Sequence, residues 1–182
     1  MLAGFGEQAR RLYDRNAQAR GLVVDVDGVL LGPDCPRAAV AVSLRGLGAT
    51  YLDAQFATMV QQFDRNLQQD GIVVRFTSGY RSDEAQGALR GDPSAIAPAR
   101  YSLHSSGLAI DIDFKRFDGV RQAQILEDAR DAGLTWGGSF RRQDVVHFLY
   151  DPYPGLTPAQ AIIARQQLAH NFAPAVEELK GF

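Results

Sequence analysis

The chain has 182 residues and an ordinary apolar content of 46%, which suits one domain with a sizeable core. Its formal net charge of −2 gives no electrostatic footprint for nucleic acid, and no apolar run is long enough to cross a membrane. The single cysteine, Cys35, excludes an intrachain disulfide and a cysteine-based metal cluster. Residues 1–20 lack a basic start followed by an apolar core, so we expect no secretory signal.

The first half of the chain alternates between helical and extended patterns. We predict a polar helix over residues 6–20 and an apolar, β-branched strand region over 21–31. Residues 38–47 are apolar but ambiguous between helix and strand. Residues 51–69 carry apolar side chains at helical spacing, and Gly71 ends that predicted helix.

The second half contains further strands and helices without a repeat or an interdomain linker, so we predict a single domain over residues 1–182. Thr157 suits the N-cap of the last helix, with Pro158 at its first helical position. The predicted elements are a strand over 72–77, a short helix over 84–89, a loop over 91–99, helices over 120–132 and 157–170, and a strand over 144–149.

A histidine and a mid-strand carboxylate mark the stretch over 102–113, which has the sequence SLHSSGLAIDID. Apolar side chains alternate with polar ones after Gly107, so Asp111 lies in mid-strand, seven residues after His104. Gly107 permits a backbone conformation that folds the histidine back beside the strand. A neutral imidazole next to a carboxylate is half of a plausible zinc site. Asp113 is either a solvated neighbour or a residue that orients a ligand.

The chain has three histidines, and two of them occur with a carboxylate at a set spacing. His170, near the predicted end of the last helix, fits an ordinary structural role. His104 and Asp111 are joined by a second pair, because Asp144 lies three residues before His147 in the segment DVVHF. Two histidines and one aspartate leave a fourth zinc position open for water, which is the catalytic pattern. Asp144 is then the candidate general base.

Several sequence elements occur together in one order. A Ser-Gly-Tyr-Arg-Ser turn at 78–82 is followed by Gln86, and a Trp-Gly-Gly element occupies 136–138. Ser-x-His and then Gly-x-Ala-x-Asp lie between these two elements, and an acidic residue three residues before a histidine follows them. These last three elements are formed by Ser102, His104, Gly107, Ala109, Asp111, Asp144 and His147.

Together these elements resemble the zinc peptidases that cut bacterial cell-wall peptides. That group includes D-Ala-D-Ala carboxypeptidases and dipeptidases, and the L-alanyl-D-glutamate endopeptidases of phage lysins. The resemblance covers residues 72–150, the motif-bearing core, whereas residues 1–70 match nothing assignable. It implies an α+β fold of the Hedgehog/DD-peptidase type, with an antiparallel-rich sheet that carries a zinc site and helices packed on it.

The resemblance also implies roles for particular residues. His104, Asp111 and His147 would bind Zn²⁺, and Asp144 would take a proton from the zinc-bound water and pass it to the leaving amine. Arg81 would be catalytic and substrate-binding, because a guanidinium can stabilise an oxyanion or hold a carboxylate. The remaining predicted contacts to substrate are those of Gln86, Ser102 and Trp136.

The predicted function is zinc-dependent hydrolysis of a peptide bond in the peptidoglycan stem. We favour endopeptidase action between L-Ala and D-Glu, because Gly137 and Gly138 beside Trp136 would open one wall of a cleft. Ser139-Phe140 departs from the Asp-Trp that often follows in the endopeptidase branch. The alternative is a D-Ala-D-Ala carboxypeptidase or dipeptidase. Without a signal, action in the periplasm or cell wall requires a phage holin, a secretion system or a larger exported protein.

Two other classes of function remain open on sequence. A non-catalytic zinc-containing binding module would share the fold, but it would need neither Arg81 nor Asp144. The segment VVDVDGVL, with Asp25 and Asp27, resembles the first motif of haloacid-dehalogenase phosphatases. That second alternative leaves His104 and His147 unexplained.

Overall fold

The computed structural model describes residues 23–24, 30–31, 38–89, 102–153 and 155–181, except for the side chains of residues 23, 24, 30, 31 and 159. The predicted helix over 6–20, the loop over 91–99, and Asp25 and Asp27 lie outside these residues. The strands are β1 (Val23–Val24), β2 (Leu30–Leu31), β3 (Ala39–Leu44), β4 (Gly48–Asp53), β5 (Phe76–Ser78), β6 (Ala109–Ile112), β7 (Thr135–Trp136) and β8 (His147–Leu149). The α-helices are α1 (Ala54–Gln69), α2 (Asp83–Ala88), α3 (Gly119–Asp131) and α4 (Pro158–Lys180).

The central sheet has four strands in the order β5-β6-β8-β7, and each neighbouring pair is antiparallel. The prediction of a mixed α and β fold is therefore confirmed. Two separate antiparallel hairpins, β1-β2 and β3-β4, precede this sheet along the chain. No helix of the described residues is long and apolar enough to span a bilayer.

Helix α1 covers the sheet and forms much of the core. Phe56, Val60, Phe63 and Leu67 are buried along one face of this helix at the spacing of successive turns. Phe63 stacks on Phe148 of β8, with ring centroids 5.7 Å apart. Each such buried side chain contributes about 1.5–3 kcal/mol through removal of apolar surface from water. The α1–β8 contact thus fixes the sheet that bears the polar motifs.

The helix predicted over 51–69 begins three residues later than predicted. Residues 51–53 belong to β4, and Asp53 caps α1 because its Oδ1 accepts hydrogen bonds from the backbone N–H groups of Gln55 and Phe56. The ambiguous segment over 38–47 contains β3, which pairs with β4 along its whole length. Leu52 matched the helical spacing of apolar residues, but it is a buried residue of strand β4 and not of the helix.

Two predicted strands are shorter in the structure. Phe76–Ser78 is the paired part of 72–77 and extends one residue beyond it, and residues 144–146 form a turn before β8. In that turn the N–H of His147 donates to the backbone oxygen of Asp144, 3.2 Å away. The short apolar run Val145-Val146 before His147 fits a turn as well as a strand, so the local pattern did not separate them.

The last helix continues well beyond the predicted end at His170. α4 runs to Lys180, and Phe172 and Val176 continue its buried face although Pro174 lies within it. His170 is therefore exposed in mid-helix, so the expected placement near the helix C-terminus is wrong. Packing of this buried face stabilises α4 in spite of Pro174, a residue of low helical propensity.

Asp128 lies on the face of α3 that packs against α1. The residue is 9% exposed, and its Oδ2 has no hydrogen-bond partner among the described residues. Burial, together with the nearby charges of Asp70, Asp131 and Glu127, raises the pKa of Asp128 to about 6. The ionised form is therefore disfavoured in the folded protein relative to the unfolded chain.

We predict that Asp128→Asn stabilises the protein at neutral pH. A raised folded-state pKa for an acid means that stability falls as pH rises from about 4 to about 6. Removing the charge should increase the free energy of unfolding by about 1–3 kcal/mol above pH 6 and by less toward pH 4. Urea unfolding at several pH values measures this. Asp131→Asn, on the exposed side of the same helix, is the matched control, and an equal gain there would contradict the assignment.

Candidate metal centre and active site

Three predicted ligands come from separate elements that meet at one end of the sheet. His104 lies in the 3₁₀ turn Leu103–Ser106, Asp111 in β6 and His147 at the start of β8. Asp111 and His147 are direct partners in the antiparallel β6-β8 register. Gly107, with φ of 65°, ends the 3₁₀ turn in the left-handed conformation and brings the chain back into β6. The fold therefore brings together residues that are far apart in sequence.

The ligand atoms of these three side chains converge. His147 Nδ1 lies 2.9 Å from Asp111 Oδ1, His104 Nε2 lies 3.3 Å from the same oxygen, and the two ring nitrogens are 3.2 Å apart. In a tetrahedral site with metal–ligand distances of 2.0–2.1 Å, neighbouring ligand atoms are about 3.3 Å apart. The three distances are close to the edges of such a tetrahedron. Among the described residues, this is the group of His, Cys, Asp and Glu side chains that could hold a metal ion.

The protonation of His104 is set by the backbone. Its Nδ1 lies 2.7 Å from the carbonyl oxygen of Gly79, which can only accept a hydrogen bond. Nδ1 therefore carries the proton, and Nε2 presents a lone pair to the other two ligands. Burial lowers the pKa of His104, which favours the neutral imidazole that metal binding needs.

Asp111 supplies the negative charge of the group. Burial alone would raise the pKa of its carboxyl, but contacts with His104 and His147 outweigh burial and hold the pKa well below its usual range. A proton on His147 Nδ1 can satisfy only one of the three close contacts, whereas a central cation satisfies all three. The donor set and its spacing therefore fit a metal ion.

Arg81 lies beside the ligand group. Its Nη2 donates to Asp111 Oδ2 at 2.9 Å, and its backbone N–H donates to the oxygen of His104 at 3.3 Å. Burial lowers the pKa of Arg81, and the charges of Asp111 and Asp144 oppose that effect. The Nε–H is buried and has no hydrogen-bond partner among the described residues. The guanidinium thus has a buried N–H without a partner next to the ligand group.

Asp144 is positioned by the turn that leads into β8. Its backbone N–H donates to the oxygen of Gly137 at 3.0 Å, and its own carbonyl accepts from His147. A Cβ at Gly137 would lie 2.6 Å from the oxygen of Asp144 and 3.1 Å from the Cβ of His147. Gly137 is therefore needed for close contact with this turn.

The Trp-Gly-Gly element supports that same turn. Trp136 Nε1 donates to the oxygen of Val145 at 2.9 Å, and a Cβ at Gly138 would lie 2.1 Å from the Trp136 ring. Gly137 and Gly138 are both buried. The expectation that these glycines open a cleft wall is therefore wrong: their missing side chains make room for the Trp136 ring and for the turn.

The other candidate residues, Ser102, Gln86 and Asp113, differ in whether they have hydrogen-bond partners. Ser102 is buried, and its Oγ accepts a hydrogen bond from the N–H of His104 and so caps the 3₁₀ turn. Gln86 is buried in α2, and its Oε1 has no partner among the described residues. Asp113 accepts from the N–H of Arg75 and pairs with Arg116, so it joins β6 to the chain before β5 and contacts no metal-ligand candidate.

Two residues at the site were not predicted from sequence. Phe140 is 37% exposed, and its ring centroid lies 6.4 Å from that of His147. Its position directly after the Trp-Gly-Gly-Ser segment was the available signal. Thr50 of β4 lies behind the site and accepts a hydrogen bond from the N–H of Tyr80 at 3.1 Å. No sequence pattern linked Thr50 to the motifs.

We predict that the metal-binding capacity depends on His104 and not on His170. Purified protein should bind one zinc ion per chain, and His104→Ala should bind none, because two ligands do not hold the ion tightly. His170→Ala is the matched control, since His170 is exposed on α4. Elemental analysis after dialysis gives the stoichiometry. Full zinc retention by folded His104→Ala would contradict the ligand assignment.

A comparison with known families matches the part of the chain that carries this group of side chains. A family model described as D-alanyl-D-alanine carboxypeptidase matches residues 96–150. The matched segment contains His104, Asp111, Asp144 and His147 together with the Trp-Gly-Gly element. No curated protein gives a significant match. The family match therefore supports the resemblance to this group of cell-wall peptidases over the part of the chain that carries the metal-ligand candidates.

Proposed function

We propose that this protein is a zinc-dependent peptidase that hydrolyses a bond in the peptidoglycan stem peptide. The observation that carries the proposal is the convergence of His104, Asp111 and His147, with ligand atoms 2.9–3.3 Å apart, beside Arg81. The family match over 96–150 supports the same class of substrate. Two nitrogen donors and one carboxylate oxygen form a donor set that suits zinc.

In this proposal three side chains hold the ion and leave one coordination position for substrate and water. Zinc held by these three side chains would polarise the scissile carbonyl and lower the pKa of bound water toward neutrality. Asp111 contributes the charge, and the Gly79 carbonyl keeps the Nε2 lone pair of His104 directed at the ion.

Asp144 accepts a proton from the attacking water and donates it to the leaving amine. This role is supported by its place on the turn that leads directly into His147. The Arg81 side chain is still 23% exposed beside Asp111, so its guanidinium would stabilise negative charge that develops on the substrate carbonyl oxygen. The same guanidinium would serve equally to bind a substrate carboxylate.

Catalysis is favoured over a role as a zinc-containing binding module. Holding a metal requires only the three ligands, whereas the structure also places the Arg81 guanidinium 2.9 Å from one of them. A charge buried to this extent is costly unless it serves the site. The phosphatase alternative has its two aspartates outside the described residues and gives no role to the histidine pair.

The bond that we propose is the one between L-Ala and D-Glu. It is supported by the Trp-Gly-Gly element at 136–138, which resembles that of the endopeptidase branch. The second candidate is the D-Ala-D-Ala bond, favoured by the description of the matching family.

We predict that Asp111→Asn and Asp144→Asn fail in different ways. Asp111→Asn should bind zinc more weakly, because a neutral amide is a poor zinc ligand. Asp144→Asn should retain zinc and lose about 10²-fold or more in turnover, the scale expected for loss of a general base. Zinc titration and hydrolysis of purified peptidoglycan measure the two effects. Loss of zinc from Asp144→Asn, with activity restored by added zinc, would show that the roles are wrongly assigned.

We predict that digested peptidoglycan yields new N-terminal D-glutamyl groups. Mass spectrometry of the released products, with a chelator-treated sample as control, separates the two candidate bonds. D-alanine as the sole early product would contradict the endopeptidase assignment and favour the carboxypeptidase. Equal release with and without chelator would contradict metal-dependent hydrolysis.

A further inference from the structure

A single peptide group lies between β4 and the ligand His104. This is the peptide that joins Gly79 to Tyr80. Its carbonyl oxygen accepts the hydrogen bond from His104 Nδ1 at 2.7 Å, and its N–H donates to Thr50 Oγ1 at 3.1 Å. Both polar atoms of one peptide plane are therefore used, one toward the candidate metal ligand and one toward Thr50.

Thr50 also contacts this peptide sterically. A Cβ at Gly79 would lie 2.5 Å from Thr50 Oγ1 and 2.9 Å from Thr50 Cγ2. The absence of a side chain at Gly79 thus allows the peptide to approach the threonine closely. Thr50 is only 7% exposed, so water does not readily replace its hydroxyl as the acceptor.

The same strand holds the other end of the His104 turn. The N–H of Asp53 donates to the carbonyl oxygen of Gly107 at 3.0 Å. A Cβ at Gly107 would lie 2.8 Å from the Asp53 nitrogen and 2.4 Å from the ring of Phe172 on α4. β4 therefore supports His104 from both sides, although it lies outside the segment over 96–150 that matches the peptidase family.

We propose that Thr50 is a positioning residue for the metal centre, which acts on His104 through the Gly79–Tyr80 peptide. The Thr50 hydroxyl fixes the plane of that peptide, and the Gly79 carbonyl then holds the His104 proton on Nδ1. Nε2 is left as the metal-binding atom with its lone pair directed at the site. This inference rests on the proposed metal centre, and Thr50 itself touches neither metal nor substrate.

The test compares two substitutions at Thr50 that differ in the hydroxyl. Thr50→Val keeps the branched shape but removes the acceptor, and Thr50→Ser keeps the acceptor but removes the methyl group. We expect Thr50→Val to bind zinc about 10–100-fold more weakly in competition with a chromophoric chelator, as for other residues that orient metal ligands. Thr50→Ser should remain within about threefold of the parent protein. Thr58→Val, at an exposed threonine of α1, is the matched control and should have no effect.

A second readout uses the metal-free protein and does not depend on activity. Two-bond ¹H–¹⁵N correlation spectra at about pH 8, where imidazoles are neutral, report which ring nitrogen carries the proton. The parent protein and Thr50→Ser should show His104 protonated at Nδ1 alone, whereas Thr50→Val should show a mixture of both tautomers. A purely structural role for Thr50 would lower stability without changing this ratio.

The possible outcomes separate this inference from the proposed function. The inference would be overturned if folded Thr50→Val kept a zinc affinity within about threefold of the parent protein and an unchanged His104 tautomer. It would also be overturned if Thr50→Ser lost as much zinc affinity as Thr50→Val. If Thr50→Val does not fold, Thr50→Ala takes its place, because it also removes the hydroxyl acceptor but with a smaller side chain, and the same two criteria apply. A parent protein that binds zinc without hydrolysing peptidoglycan would contradict the proposed function and leave the role of Thr50 intact.

Discussion

The antiparallel pairing of β6 with β8 is the constraint on which the rest of the site depends. In this register Asp111 and His147 face each other directly, so their ligand atoms come within 2.9 Å. A slip of one residue would turn one of the two side chains to the opposite face of the sheet. The buried Ile110 and Phe148, neighbours in the same register, oppose such a slip because both belong to the core. Hydrophobic burial thus determines the geometry of the polar cluster.

The cluster itself is costly for the metal-free protein. Two imidazoles, a carboxylate and the Arg81 guanidinium are crowded into a partly buried region, and the Nε–H of Arg81 lacks a hydrogen-bond partner among the described residues. Unpaired buried polar groups reduce stability unless a ligand completes them. A bound cation would compensate the crowding of the three ligand side chains, so features that lower stability in this region are ones that the proposed chemistry uses.

Backbone groups and small residues orient the polar side chains. The Gly79 carbonyl fixes the tautomer of His104, and Gly137 allows the turn of Asp144 to approach closely. Trp136 holds that turn through its indole N–H, which changes the meaning of the Trp-Gly-Gly element. Its glycines serve packing beside the candidate base and not the width of a cleft. The support extends to Thr50, so the functional unit includes a strand outside the matched family segment.

The sequence by itself determined the candidate ligands, because motif spacing and residue chemistry are local properties. It also predicted the mixed fold, the N-cap of α4 at Thr157 and the core face of α1. The tertiary structure alone decided the β6-β8 register, the contact of Thr50 with the Gly79–Tyr80 peptide and the burial of the glycines at 137 and 138. It also decided where strands and helices end, since β4 continues to Asp53 and α4 continues beyond His170. Those features depend on contacts between segments distant along the chain, and no periodicity within one segment encodes them.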